Sequence, residues 1–271
     1  MIKCIMIKKI FCLYLLFFVF TACVSSPEIQ TQNLKVSIIK QKSKDWEEIR
    51  LGEYKLFNNV WGKENITSYK QKIFTFKTEN GARMGWQWSW PSDTRRVVAY
   101  PEIMYGQGPW QSYSTSKKLP AKVSDVNLTV SYDFSLDATG FYNVAIEFWV
   151  TNKRIPNPND LTHEVMIWVV NSGMVPAGKV VDTPVINGIP FNFHINKNHD
   201  PGAGSNVSGW LYIAFVAQKD HLQAELKMKD FISYLIKNGY LSADLYIGSI
   251  EIGTEIESGN GTILFNEYNI E

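Results

Sequence analysis

Alternation with a period of two is the pattern that most restricts what this chain can become. Short runs of alternating apolar and polar residues, separated by Gly, Pro and Asn clusters, recur along the sequence. Successive side chains of a strand point to opposite faces, so such runs fit half-buried strands. Ordered structure is expected to start at Tyr54 and to run into a turn-rich aromatic corner at 58–62, and strands are expected over residues 73–78, 84–90, 97–100, 126–134, 141–150, 163–170, 179–186, 191–195, 210–218 and 245–259. Glu79-Asn80-Gly81 reads as a hairpin turn between two of them. One helix is expected over residues 222–237, packed on the outside of a sheet, with Leu226, Phe231, Tyr234 and Leu235 on its apolar side and Asn238-Gly239 as its stop. A parallel βαβ architecture needs helices between its strands, and no repeat period is evident. Many short strands with turn chemistry between them therefore predict an all-β sandwich or jelly roll carrying one helix.

The N-terminus constrains location. Lys3, Lys8 and Lys9 precede and enter an apolar run ending near Phe20, long enough for an export signal and too short for a membrane span. Phe20-Thr21-Ala22-Cys23 resembles a bacterial lipobox with Phe in place of the usual Leu. Residues 1–22 are thus expected to be a lipoprotein signal, with Cys23 lipidated, residues 23–45 a polar tether, and residues 46–271 the folded domain. The expected location is the bacterial cell envelope, exported and held to a membrane by the lipid. Removing the three leader lysines from the 27 basic residues leaves 24 against 26 acidic ones. That balance gives no electrostatic footprint for nucleic acid. Cys4 and Cys12 lie in the leader, so Cys23 is the one cysteine of the mature chain and no internal disulfide or thiol nucleophile is expected. His163, His194, His199 and His221 lack metal-ligand spacing, so neither a metal nor another cofactor is expected.

Aromatic content is the next constraint. Nine Trp in a chain that is 14% aromatic must fill a core or stack on something. Trp86, Trp88 and Trp90 share one face of a strand, forming either a core-facing row or a platform for sugars, and Trp88 is a candidate for substrate contact. In His163-Glu164-Val165-Met166-Ile167-Trp168-Val169-Val170, Val165, Ile167 and Val169 face a core while Glu164, Met166 and Trp168 face the other way. His163 has no assigned role. In the run from Phe141 to Val150, Asn143, Glu147 and Trp149 lie opposite an apolar face of Val144, Ile146, Phe148 and Val150. If residues 151–162 form a long hairpin loop, the two strands pair and bring Glu147 beside Glu164, where the carboxyls can share a proton. Glu251 and Glu255 share the small-residue face of the run 245–259, which suits a ligand or simply a polar outer face.

Five segments together resemble glycoside hydrolase family 12. They are Asn58-Asn59-Val60-Trp61-Gly62, Tyr100-Pro101-Glu102-Ile103, Asn143-Val144-Ala145-x-Glu147, Glu164-Val165-Met166-Ile167-Trp168 and Gly253-Thr254-Glu255. The resemblance covers about residues 50–271 and implies a β-jelly roll, a concanavalin-like sandwich of two antiparallel sheets with a concave substrate groove. It implies a retaining endo-β-1,4-glucanase acting on xyloglucan, cellulose or mixed-linkage glucan, with Glu164 as nucleophile and Glu255 as general acid/base. Glu147 would support the nucleophile, and Asn59, Trp61, Asn143, Met166 and Trp168 would line the cleft. Two positions depart from the family pattern: Glu147 stands where Asp is usual, and Glu257 where an aromatic follows the acid/base. The competing reading is a non-catalytic glycan-binding lipoprotein of lectin type, which has no need of both Glu164 and Glu255; jelly-roll xylanases are disfavoured by Glu-Val-Met-Ile-Trp. The protein is expected to act as a monomer on a β-glucan.

Overall fold

The computed structural model describes residues 28–30, 35–92, 94, 96–199 and 209–271. The leader 1–22 and the lipidation candidate Cys23 lie outside the described residues. The first strands are β1 (Glu28–Gln30), β2 (Lys35–Lys42), β3 (Glu48–Leu51), β4 (Tyr54–Phe57), β5 (Lys70–Thr78), β6 (Gly81–Trp90) and β7 (Glu102–Gly106). Next come β8 (Ala121–Lys122), β9 (Thr129–Thr139), β10 (Tyr142–Thr151), β11 (Leu161–Ser172), β12 (Lys179–Asp182) and β13 (Val185–Ile186). The chain ends with β14 (Ile189–His199), β15 (Trp210–Ala217), β16 (Gln223–Lys227), α1 (Met228–Lys237), β17 (Tyr246–Ile247), β18 (Ser249–Gly253) and β19 (Gly259–Ile270).

Two sheets form the sandwich. One runs β1-β2-β5-β6-β19-β9-β16, and the other runs β12-β14-β15-β11-β10-β18-β7-β4-β3. All of these pairings are antiparallel except β11 with β15, where the chain returns through β12 and β14 and lands alongside in the same direction. Between the sheets Trp86, Trp88 and Trp90 meet Val144, Ile146, Phe148, Val165, Ile167 and Phe265 in one core. The hairpin of β5 and β6 turns through Glu79-Asn80 with Thr78 opposite Gly81, whose φ of 103° suits a residue without Cβ. β10 and β11 pair as expected, with Glu164 opposite Trp149 and Glu147 opposite Met166, so the two acids are diagonal neighbours.

Several expectations are corrected. Residues 35–42 are not tether: they form β2, hydrogen-bonded to β5 on one side and to β1, the edge strand of the seven-stranded sheet, on the other. Residues 97–100 contribute a single bridge, Ala99 to Ile256, and the ladder starts after Pro101, which has no N–H to give. The helix begins at Met228, because Gln223, Glu225 and Lys227 are exposed around a buried Leu226, a period of two that makes this stretch β16. Nor does α1 sit outside a sheet. Phe231 packs against Phe215 at 5.2 Å and Phe191 at 5.5 Å, within the main core. Asn238 and Gly239 do end it, with Gly239 at φ 75° and the Tyr240 N–H donating to the Leu235 carbonyl.

The longest omission is β19, a 12-residue strand between β6 and β9 at the centre of its sheet. Gly259-Asn260-Gly261 reads as a turn, yet Gly261 lies against the Trp88 ring, which occupies the space that a Cβ would need. Gly261→Val should therefore destabilise the fold by about 1–3 kcal/mol, as overpacking does. A urea midpoint unchanged from wild type would refute this account of the position.

Candidate active site

The acidic face lies on the sheet containing β10 and β11, turned away from the core. Glu164, Met166 and Trp168 alternate with the core residues of β11, and all three are under 8% exposed. Met166 and Trp168 form a floor: the Trp168 Nε1–H points at Met166 Sδ at 3.4 Å, and the Tyr212 hydroxyl approaches the same sulfur at 3.6 Å. Beside them Ala145, Ala214 and Tyr100 complete a small apolar cluster. The Trp210 Nε1–H donates to Glu164 Oε2 at 2.6 Å.

Glu255 follows β18 and is fixed from three directions by Asn143. The Asn143 Nδ2 donates to Glu255 Oε2 at 2.5 Å, the Glu255 N–H donates to Asn143 Oδ1 at 3.1 Å, and the Asn143 N–H donates to the Glu255 carbonyl at 3.0 Å. The backbone N–H at Glu255 requires an acceptor, which sets the amide orientation of Asn143. The neighbours in Gly253-Thr254-Glu255 have their own reasons. A Cβ at Gly253 would strike the Tyr100 ring, whose hydroxyl donates to the Ala145 carbonyl at 3.0 Å. Thr254 Oγ1 accepts from the Trp86 indole at 3.1 Å, tying the segment to the opposite sheet.

At the other corner, Asn59 Oδ1 accepts from the Trp61 N–H at 3.0 Å, while its Nδ2 donates to Glu102 Oε1 at 3.1 Å. Trp61 is 37% exposed, so its ring is available to a ligand. Glu251, on β18 next to the Glu102 strand β7, accepts from the Ser249 hydroxyl at 2.6 Å. Burial, with the nearby Glu251 charge, holds Glu102 well above the usual carboxylate range.

Burial dominates the other acids too. It pushes the Glu164 carboxyl up to about 8, with the Glu255 charge adding to it and the Trp210 N–H opposing. It pushes Glu255 up to about 7, against the Asn143 amide and with the Glu257 charge. Glu147 is held well above the ordinary range by burial, then by the charges of Glu164, Glu251, Glu102 and Glu255. Mutual repulsion means that ionising one of these acids keeps its neighbours protonated.

Of the candidates read from the sequence, Glu164, Glu147, Glu255, Asn143, Met166 and Trp168 come together on this face. Asn59 and Trp61 form the corner joined to it through Glu102. Trp88 does not belong there. It is 2% exposed and packs edge-on to Tyr142 at 5.7 Å inside the core, so it cannot touch substrate. Sequence reading overlooked Trp210 and Tyr212. Their alternation with Ile213 and Phe215 marked a face, but the parallel placement of β15 beside β11, with Tyr212 opposite Glu164, was not legible.

Because the folded protein holds protons that the unfolded chain releases near pH 4.3, its stability must fall as pH rises through the folded values of about 7 and 8. Glu147→Gln removes one such group, and its melting temperature should drop less than that of wild type between pH 5 and 8. An equally steep or steeper drop would contradict the assignment of a bound proton to Glu147.

Known proteins match this arrangement. The family model described as Glycosyl hydrolase family 12 matches residues 52–271. Endoglucanase S of Pectobacterium parmentieri is 34% identical over 223 residues, 81% of each chain. A probable xyloglucan-specific endo-beta-1,4-glucanase A of Neosartorya fischeri is 29% identical over 83% of this chain and 88% of its own. The native family 12 xyloglucanase from Bacillus licheniformis superposes with a TM-score of 0.78 at 30% identity, covering 86% of this chain and 99% of that one. With the family model spanning most of the chain and the two-sheet fold shared, this protein belongs to glycoside hydrolase family 12.

Proposed function

We propose that the protein is a retaining endo-β-1,4-glucanase that cleaves β-glucan chains by double displacement. The observation that carries this reading is the pairing of two mutually repelling carboxyls on one face, Glu164 buried and Glu255 half-buried, held by different donors. In the first step Glu164 attacks the anomeric carbon as Glu255 gives its proton to the departing glycosidic oxygen. The charge on Glu164 is then gone, so Glu255 has less reason to hold a proton and serves as base. Water attacks the same carbon, Glu255 takes its proton, and the bond to Glu164 breaks. Net configuration is retained through two inversions. Met166 and Trp168 support the sugar from beneath, while Trp61 and Asn59 serve a neighbouring sugar by stacking and hydrogen bonding. The names of the relatives support β-1,4-glucans as a class, with xyloglucan and plain glucan as the substrates to compare.

Phe20-Thr21-Ala22-Cys23 supports export and lipid anchoring at Cys23, with the folded domain at the cell envelope. Since pairing begins at Glu28, the tether is shorter than residues 23–45.

Glu164→Gln and Glu255→Gln should each lower reducing-sugar release from tamarind xyloglucan, carboxymethylcellulose or barley glucan by at least ~10²-fold. An aryl glycoside whose leaving group needs no proton should partly restore the first step in Glu255→Gln only. Wild-type activity in either variant would overturn its role, and binding without turnover by the wild-type protein on every polymer would favour the lectin reading. Separately, Cys23→Ser should move the protein from the membrane fraction to the soluble one; retention in the membrane would refute lipidation.

A further inference from the structure

The Glu164 carboxyl has one hydrogen-bond donor among the described residues, and it comes from β15. Trp210 opens that strand, is 5% exposed, and places its Nε1–H 2.6 Å from Glu164 Oε2. Its ring is held edge-on by Trp149 at 5.5 Å and 78°, with the His199 ring at 5.8 Å. Trp149 is in turn packed edge-on against Trp110 at 5.0 Å and 85°. The indole is thereby oriented by rings that contact it from β10 and β14. An indole N–H donates and never accepts, and it bonds a charged oxygen more strongly than a neutral one.

The remaining groups that face Glu164 cannot substitute. Glu147 approaches from β10 and Glu255 from the segment after β18, and each raises the cost of charge on Glu164 when itself ionised; Glu102 and Glu251 act on Glu147. Tyr212, along β15, directs its hydroxyl to Met166 Sδ.

We propose that Trp210 is a positioning residue for the nucleophile: its indole N–H fixes one oxygen of Glu164 and stabilises the carboxylate that departs when the glycosyl-enzyme bond breaks. The proposal rests on the double-displacement reading above. Holding Oε2 leaves Oε1 as the attacking atom in the first step. In the second step the water oxygen bonds to the anomeric carbon and its proton passes to Glu255. The electron pair of the breaking carbon–oxygen bond returns to Glu164, opposite the N–H. Without that donor the returning charge meets only carboxyls and rings, so deglycosylation slows and the covalent intermediate accumulates. The free carboxyl also keeps its proton to a higher pH.

Trp210→Phe keeps a ring and removes the donor. On a β-1,4-linked aryl cello-oligosaccharide, kcat should fall ~10–100-fold, the range of a charge-assisted hydrogen bond. KM should fall with it, a glycosyl-enzyme adduct should appear in the intact mass during turnover, and the acid limb of kcat/KM should move to higher pH. A variant with unchanged kcat and pH profile, or with lowered kcat but no adduct and no shift of the limb, overturns the proposal. Should the variant not fold, the wild-type protein labelled with 15N at tryptophan suffices. One indole N–H resonance should titrate with pH, and that titration should vanish in Glu164→Gln; nine indole resonances indifferent to pH overturn the proposal. An active Glu164→Gln would instead sink the double-displacement reading, whereas an inactive Glu164→Gln beside a wild-type-like Trp210→Phe sinks the role of Trp210 alone.

Discussion

Charge repulsion among buried carboxyls governs this molecule. Glu102, Glu147, Glu164, Glu251 and Glu255 occupy neighbouring strands or the turn that follows, and water reaches little of the surface of the first four, with Glu255 half-buried beside them. Removing an isolated ionised carboxylate from water is prohibitive, so such groups either retain protons or receive donors. Both solutions are visible: burial holds Glu102 and Glu147 well above the usual carboxylate range, whereas Glu164 and Glu255 receive an indole and an amide donor. Two acids placed in different surroundings are what general acid chemistry beside a carboxylate nucleophile demands.

Holding that arrangement is the task of the sandwich. Trp86, fully buried in the opposite sheet, donates to Thr254, the residue before Glu255. A single neutral hydrogen bond of this kind is worth about 1 kcal/mol net. Its greater effect is geometric, since it makes the backbone next to Glu255 depend on the packing between the sheets. Tyr100 does the same from beneath, occupying the space left by Gly253 and bonding the backbone of β10. The tryptophans read as a possible sugar platform thus serve the site by fixing what lies above the core.

Local pattern made much of this legible. The face carrying Glu164, Met166 and Trp168, and the opposite face of β10 carrying Glu147, followed from alternation alone, because burial on one side of a sheet enforces it. Motif resemblance supplied Glu255 and Asn143, whose mutual hydrogen bonds no periodicity could reveal. Three kinds of information were hidden. Which side of β6 is buried could not be decided, since Gln87 and Ser89 suit either solvent or a groove. The neighbour of β11 across the sheet, and with it Trp210, depends on a long-range parallel pairing. The join between β16 and α1 was masked because Leu226 fits both a period of two and a helical stripe.

β19 is an inner strand, bonded on one side to β6 and on the other to β9. An inner strand cannot be added after its neighbours have closed on each other. The seven-stranded sheet, and the Trp86 support that reaches Glu255 from it, therefore depend on β19 being in place. Loss of β19 would take out an inner strand of that sheet and not its margin, and the hydrogen-bonded support for Glu255 with it.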